Sequence, residues 1–195
     1  MMPSFQIFSR VRLRIGIPSP GSEVQTSTNV EFFRKERLNE MTGKIDARLT
    51  ALNIELPDAP APAANYVPFV LSGNLVFVSG QVPWVGGERN FVGKVGIDYT
   101  VEEGQDAART VALNIIAQVK AACDGDLDRV VRCIKIGGFV NCSDDFHQQP
   151  QVINGASDLM VDVFGDAGRH SRFAVGAPAL PFNVAVEIDA VFEVR

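Results

Sequence analysis

Near the C-terminus, Val184, Val186, Ile188, Ala190 and Phe192 alternate with positions that include Glu187 and Asp189. A period of two is the pattern of a strand with one face on a core. Ser171–Val175, upstream of a Pro-containing connection, reads as a preceding strand. Paired as a hairpin, the two would bring Arg172 and Glu187 onto one open sheet face. Earlier in the chain, Tyr66–Leu71 and Leu75–Ser79 are apolar runs separated by Ser72-Gly73-Asn74, a hairpin-type turn. Gly86-Gly87 marks another turn, and Phe91–Val95 is a candidate short strand. Thr100 and Glu103 form a capping-box signature opening a helix whose stripe is Ala108, Val111, Ile115, Val119 and Ala122. Asp124-Gly125-Asp126 ends it. Arg129–Val140, rich in β-branched residues, reads as a strand. A second helix follows Pro150, with Ile153, Ala156, Met160, Val163 and Phe164 on one side, closed by Gly165 and Gly168.

This order predicts an α+β two-layer sandwich, a mixed sheet with two helices on one face. The helices are expected to cross in the right-handed sense between parallel neighbouring strands. Phe139, Val191 and Val194 are expected on the uncovered face, which predicts symmetric self-association with cyclic closure.

Residues 1–40 read differently. Phe5–Ile17 is basic, acid-free and partly apolar, followed by Pro18, Ser19, Pro20 and Gly21. A transit peptide has this composition, and so does an upstream extension ahead of a true start at Met41; the segment is expected to be poorly ordered. Met41 opens a short helix with Ile45, Leu49 and Leu52 on one stripe. Pro57, Pro60 and Pro62 then make a stiff connector, so that residues 41–60 lead into a domain over residues 61–195.

The composition, 195 residues with 46% hydrophobic and 21% charged, is that of an ordinary soluble globular protein. No run of about 18 apolar residues is present to span a membrane. Cys123, Cys133 and Cys142, odd in number and without a CxxC pair, argue against disulfides and zinc and suit a cytoplasmic location with inert buried thiols. Residues 1–41 carry a formal charge of +2 and the remainder −7. That balance repels polyanions, which makes nucleic acid a poor partner.

Several segments together resemble the RidA/YjgF family of small imine deaminases, over roughly residues 60–194. They are Ala61-Pro62-Ala63-Ala64 with Tyr66; Leu75-Val76-Phe77-Val78-Ser79-Gly80-Gln81-Val82-Pro83; Asp126–Cys133 running to Phe139–Phe146; and Arg172 with Leu180-Pro181 and Val186-Glu187-Ile188-Asp189-Ala190. The resemblance implies a chorismate-mutase-like fold, a homotrimer with clefts between subunits, and hydrolysis of reactive 2-imino acids to 2-oxo acids and ammonia without metal or organic cofactor. Carried over by position, Arg172 grips a substrate carboxylate and Glu187 positions the attacking water. Tyr66, Ser79 and Gly80 line the pocket, with Asn154.

The chemistry is coherent on its own terms. A guanidinium holds a carboxylate with two parallel charge-assisted bonds, and a protonated imine carbon is already electrophilic, so orientation and a proton acceptor suffice. Other roles remain open for the same residues. Arg172 suits an interface salt bridge, Glu187 an exposed strand carboxylate, Tyr66 a core-edge aromatic, Ser79-Gly80 a strand-end turn and Asn154 a helix-start cap. His147 and His170 suit surface or turn roles, and Trp84 packing. The family's usual cysteine after the arginine is replaced by Ala174, and Phe173 is larger than its usual counterpart, so a non-enzymatic trimer binding small carboxylates is the alternative. Endoribonuclease activity, attached to this family by name, is disfavoured by the −7 charge and by the absence of a His/Lys/Arg cluster.

Overall fold

The computed structural model describes residues 43–62 and 64–195. The expectations for residues 1–40 and for a helix start at Met41 fall outside the described residues. Among the described residues seven strands are present: β1 (Phe69–Ser72), β2 (Leu75–Gln81), β3 (Trp84–Val85), β4 (Glu88–Arg89), β5 (Val130–Asn141), β6 (Ser171–Ala177) and β7 (Val186–Val194). The helices are α1 (Lys44–Ala51), α2 (Val101–Ala122) and α3 (Gln149–Phe164). β3 and β4 form a small hairpin, and the other five strands make one mixed sheet in the order β1-β2-β7-β5-β6.

Both long helices form where their patterns place them. Thr100 Oγ1 accepts from Glu103 N at 3.2 Å and Glu103 Oε2 accepts from Thr100 N at 2.8 Å, which satisfies two otherwise orphaned donors at the start of α2. The expected stripes of both helices are buried against the sheet, where Val76, Val78, Ile136, Val140 and the inner face of β7 complete the core. Where the two helices cross, Gly155 of α3 meets α2 so closely that a Cβ would collide with the backbone carbonyl of Gln105.

The sheet corrects the expected hairpin. β6 pairs in parallel with β5 alone, while β7 runs antiparallel to both β2 and β5. The physical reason lies in burial. Val186, Ile188, Ala190, Phe192 and Val194 are all buried, so β7 takes the centre, whereas β6 has no buried position and takes the edge. α3 therefore joins neighbouring parallel strands, but α2 does not: β7 is inserted between β2 and β5. Val194 is also a correction, since it faces the helices at 5% exposure and not the open side. Phe91–Val95 forms no strand, because Phe91 and Gly93 adopt positive φ (54° and 149°) and leave only isolated bridges.

α1 is fastened from outside itself. Gly43 supplies no side-chain cap, and the Asp128 carboxylate accepts instead from Lys44 N at 2.7 Å and Ile45 N at 2.9 Å. Leu49 is buried in the core, and Lys120 bonds Asp46 at 2.8 Å.

The end of β5 is a polar hub. Asn141 is fully buried, with its side-chain NH2 shared among Gly93 O, Val184 O and Asn183 Oδ1, and its Oδ1 accepting from Lys94 Nζ at 3.0 Å. A buried amide satisfied this fully fixes the segments it touches. Among them is the turn at Phe182-Asn183, whose residues both have positive φ (59° and 58°).

Candidate functional site

Arg172 lies on β6 beside Ile136 of β5. Its guanidinium reaches α3: Nη1 donates to Asn154 Oδ1 at 2.9 Å and Ser157 Oγ at 3.0 Å, and Nη2 donates to Pro150 O at 3.3 Å. Asn154 and Ser157 are three residues apart, hence on one helix face. Three of the five guanidinium hydrogens are used, which leaves the Nε–H and one Nη2–H for a ligand. Asn154 is well inside α3, so the expected helix-start cap is replaced by a role in positioning Arg172.

The network continues. Ser157 Oγ lies 3.1 Å from His170 Nε2, and His170 Nδ1 lies 2.6 Å from Gly168 O. A carbonyl only accepts, so Nδ1 carries the hydrogen and Nε2 of the neutral ring accepts from the serine hydroxyl. Burial, and to a smaller degree the charge of Arg172, hold His170 below its ordinary pKa, although the bond to Gly168 works the other way. A neutral imidazole thus orients Ser157, which orients Arg172. Ser157 and this use of His170 were not found from the sequence; the Asn154-x-x-Ser157 spacing and the place of His170 two residues before Arg172 were the available signals.

Glu187 is on the other face of the sheet. The inner residues of β7 pack under the helices, so Glu187 and Asp189 point to the open side, beside Phe139 and Gly137 of β5. Within one chain Arg172 and Glu187 do not converge, which corrects that expectation. Burial, and next the neighbouring Asp189, raise the pKa of Glu187 above the ordinary carboxylate value. Asp189 Oδ1 is buried with no hydrogen-bond partner among the described residues. The carboxylate of Glu187 occupies the space where a side chain at Gly80 would stand; only glycine permits this approach.

Gly80 and Tyr66 line one cavity together with Trp84 and Phe182. Ser79 is turned away from it: its Oγ donates to Val67 O at 2.7 Å and its N donates to Pro68 O at 2.9 Å, which holds the bend carrying Tyr66. The candidate residues therefore fall into two separate groups, Arg172 with Asn154 at the edge strand, and Glu187 with Gly80 and Tyr66 elsewhere. Ala174 packs against the core, while Phe173 meets Phe139 edge-on at 5.3 Å and, alternating with Arg172, faces the open side. Phe173 therefore does not crowd Arg172 within its own chain. Val70, Phe77, Phe139 and Val175 are exposed; Phe77 pairs with Val70 and Phe139 with Val175, so they form an apolar surface beside the two carboxylates.

Among the described residues, no group of three or more His, Cys, Asp or Glu side chains is placed to hold a metal ion, and no helix is long and apolar enough to cross a membrane. All three cysteines are free and buried.

Residues 46–193 match the family described as "YjgF/chorismate_mutase-like, putative endoribonuclease". Protein TCP17 of Trypanosoma cruzi is 51% identical over 157 residues, 79% of this chain and 96% of that protein. The crystal structure of Atu1372 from Agrobacterium tumefaciens, also 51% identical, superposes with a TM-score of 0.73 over 77% of this chain and 92% of that one. A "putative endoribonuclease" of Shewanella oneidensis MR-1 gives 38% identity and a TM-score of 0.74 over 77% and 99%. Further off, TdcF of E. coli, solved with bound serine, is 25% identical over 72% and 96%, with a TM-score of 0.50. The match covers both groups of candidate residues and all but the last residue of the five-stranded sheet, and the chain belongs to the RidA/YjgF family.

Proposed function

We propose that this protein is a cytoplasmic, cofactor-free hydrolase of small 2-imino acids, working as a homotrimer whose sites lie between subunits. The observation that carries the reading is Arg172, held by three acceptors with an Nε–H and an Nη2–H left over, the donors that a carboxylate takes as a pair. Glu187, half-buried and raised in pKa, is the complementary group, because an acceptor poised nearer neutrality exchanges protons more readily with a reacting water. The two stand on opposite faces of one sheet, so they meet only if the edge of one copy packs on the open face of the next. The exposed Phe77, Phe139 and Val175 favour such packing. TdcF, with serine bound, supports a small amino-acid-like ligand in this fold.

The chemistry is a hydrolysis. Arg172 pairs with the substrate carboxylate and fixes the imine carbon. Water adds its oxygen to that carbon while Glu187 takes its proton. Glu187 returns that proton to nitrogen. As the carbinolamine C–N bond breaks, the hydroxyl gives its own proton back to Glu187 and becomes the carbonyl. Glu187 passes it to the departing ammonia, so that a protonated 2-imino acid and water give a 2-oxo acid and ammonium. Positioning alone lowers the barrier by several kcal/mol, since addition to the protonated imine needs no further activation.

A second reading, a non-catalytic binder of small carboxylates, is favoured by Ala174, which puts no nucleophile beside Arg172. The deciding experiment generates imines with an amino-acid oxidase and follows 2-oxo acid release. Acceleration by the wild type that disappears in Arg172→Ala supports the hydrolase. No acceleration by a folded, trimeric wild type leaves the binder.

A further inference from the structure

Gly80 borders two things at once. It receives the Glu187 carboxylate, and it lines a cavity of about 250 Å³ between Pro60, Pro62, Tyr66, Trp84 and Phe182. No charged residue lines this cavity, and Gln81 turns its amide to the carbonyls of Ser79 and Gly80. Its volume falls below the roughly 300–1,000 Å³ of sites that enclose a whole drug-sized ligand. It is a place for one apolar group.

The walls are set before any ligand arrives. The Arg89 guanidinium lies 3.9 Å from the Phe182 ring centroid and 5.6 Å from that of Trp84, bracing both rings by cation–π contact. Phe182 itself sits at φ 59° and ψ 14°, a conformation that a bulky residue keeps only where its surroundings impose it. Asn141 imposes it through Asn183 and Val184. Gln118 Nε2 donates to Pro60 O at 2.6 Å and anchors the proline wall. A large aromatic ring at a left-handed position, left 43% exposed above an apolar hollow, is unexplained by core packing.

We propose that this cavity is the side-chain pocket of the site and selects substrates with a bulky apolar side chain, aromatic or branched, with Phe182 and Trp84 as the specificity-determining residues. The proposal rests on the reading of the Gly80–Glu187 neighbourhood as a 2-imino acid site.

The test uses the full chain and two readouts. The first is kcat/KM for imines generated from phenylalanine, leucine and alanine. The second is binding of phenylpyruvate and pyruvate, followed by the fluorescence of Trp84, the sole tryptophan of the chain. A preference for the phenylalanine or leucine imine over the alanine imine of at least tenfold is expected, with phenylpyruvate quenching Trp84 at concentrations at least tenfold lower than pyruvate. Phe182→Gly, which removes the ring and relieves the left-handed strain, is expected to bring both ratios close to one. Trp84→Leu, read by calorimetry, serves as the second variant. Hydrolysis of all three imines at equal efficiency without a change in Trp84 emission overturns the pocket and leaves the hydrolase reading intact. Selective phenylpyruvate binding at Trp84 with no hydrolysis of any imine supports the pocket and overturns the hydrolase. Loss of both readouts overturns both.

Discussion

Arg172 and Glu187 stand on opposite faces of one sheet, with β5 between their strands. If the working site joins the edge of one copy to the open face of another, two inactive variants repair each other. Arg172→Ala and Glu187→Gln are each expected to lose at least a hundredfold in kcat/KM. After unfolding together at equal ratio and refolding, about a quarter of the interfaces of a cyclic trimer pair the intact arginine with the intact glutamate. Activity near that fraction of wild type is the expected result, and none after mixing would contradict a shared site.

The Ser157–His170 contact ties Arg172 to pH. His170 is held below its ordinary pKa, mainly by burial, so the unfolded chain binds its proton first as pH falls. Stability from this group is complete above about 6.5 and is lost as pH drops through the ordinary value toward the depressed one. His170→Gln is expected to flatten the fall in melting temperature of the wild type between pH 7 and 5. It should also remove the acidic inflection from log kcat/KM. With two histidines in the chain, that variant also assigns both imidazole signals in a proton NMR titration.

Glycine-to-alanine exchange separates a site contact from a packing contact. At Gly80 the new methyl meets the movable end of Glu187, so the expected stability loss is about 1 kcal/mol or less, with at least a tenfold loss of turnover. At Gly155 it meets the backbone carbonyl of Gln105, which has nowhere to go. There the expected loss is about 1–3 kcal/mol, seen as a shifted urea midpoint.

Burial pushes the Cys133 thiol up to about 12 and raises Cys123 as well. Thiolate is the reactive form. Iodoacetamide at pH 8 is therefore expected to label none of the three buried cysteines of the folded protein within an hour, and all three in denaturant, as counted by mass spectrometry. Rapid labelling of the native protein would contradict this burial.

Local patterns in the sequence carried most of the elements. The stripe from Ala108 to Ala122 and the Thr100/Glu103 box specify α2 with no help from distant residues, and both are as expected. Strand order is different in kind, since alternation says which face a residue takes and not which strand lies beside it. Alternation alone therefore makes hairpin neighbours of Arg172 and Glu187, whereas β7 pairs with β2 and β5. Asn154 shows the same limit: its amide suits a cap or a side-chain partner equally, and only the approach of β6 to α3 decides. Gly80 was legible as a turn residue, but its reason for being glycine is the Glu187 carboxylate, more than a hundred residues away.

The placement of β7 also bears on how the protein is made. It emerges from the ribosome after every other strand of the sheet, yet it fills the middle position. Until then β1–β2 on one side and β5 with β6 on the other have no common partner, and each shows an unpaired edge to its surroundings. Completion of the sheet, and with it the setting of Glu187, thus waits for β7 itself, and nascent copies held close together on one message have those edges open to one another until it arrives.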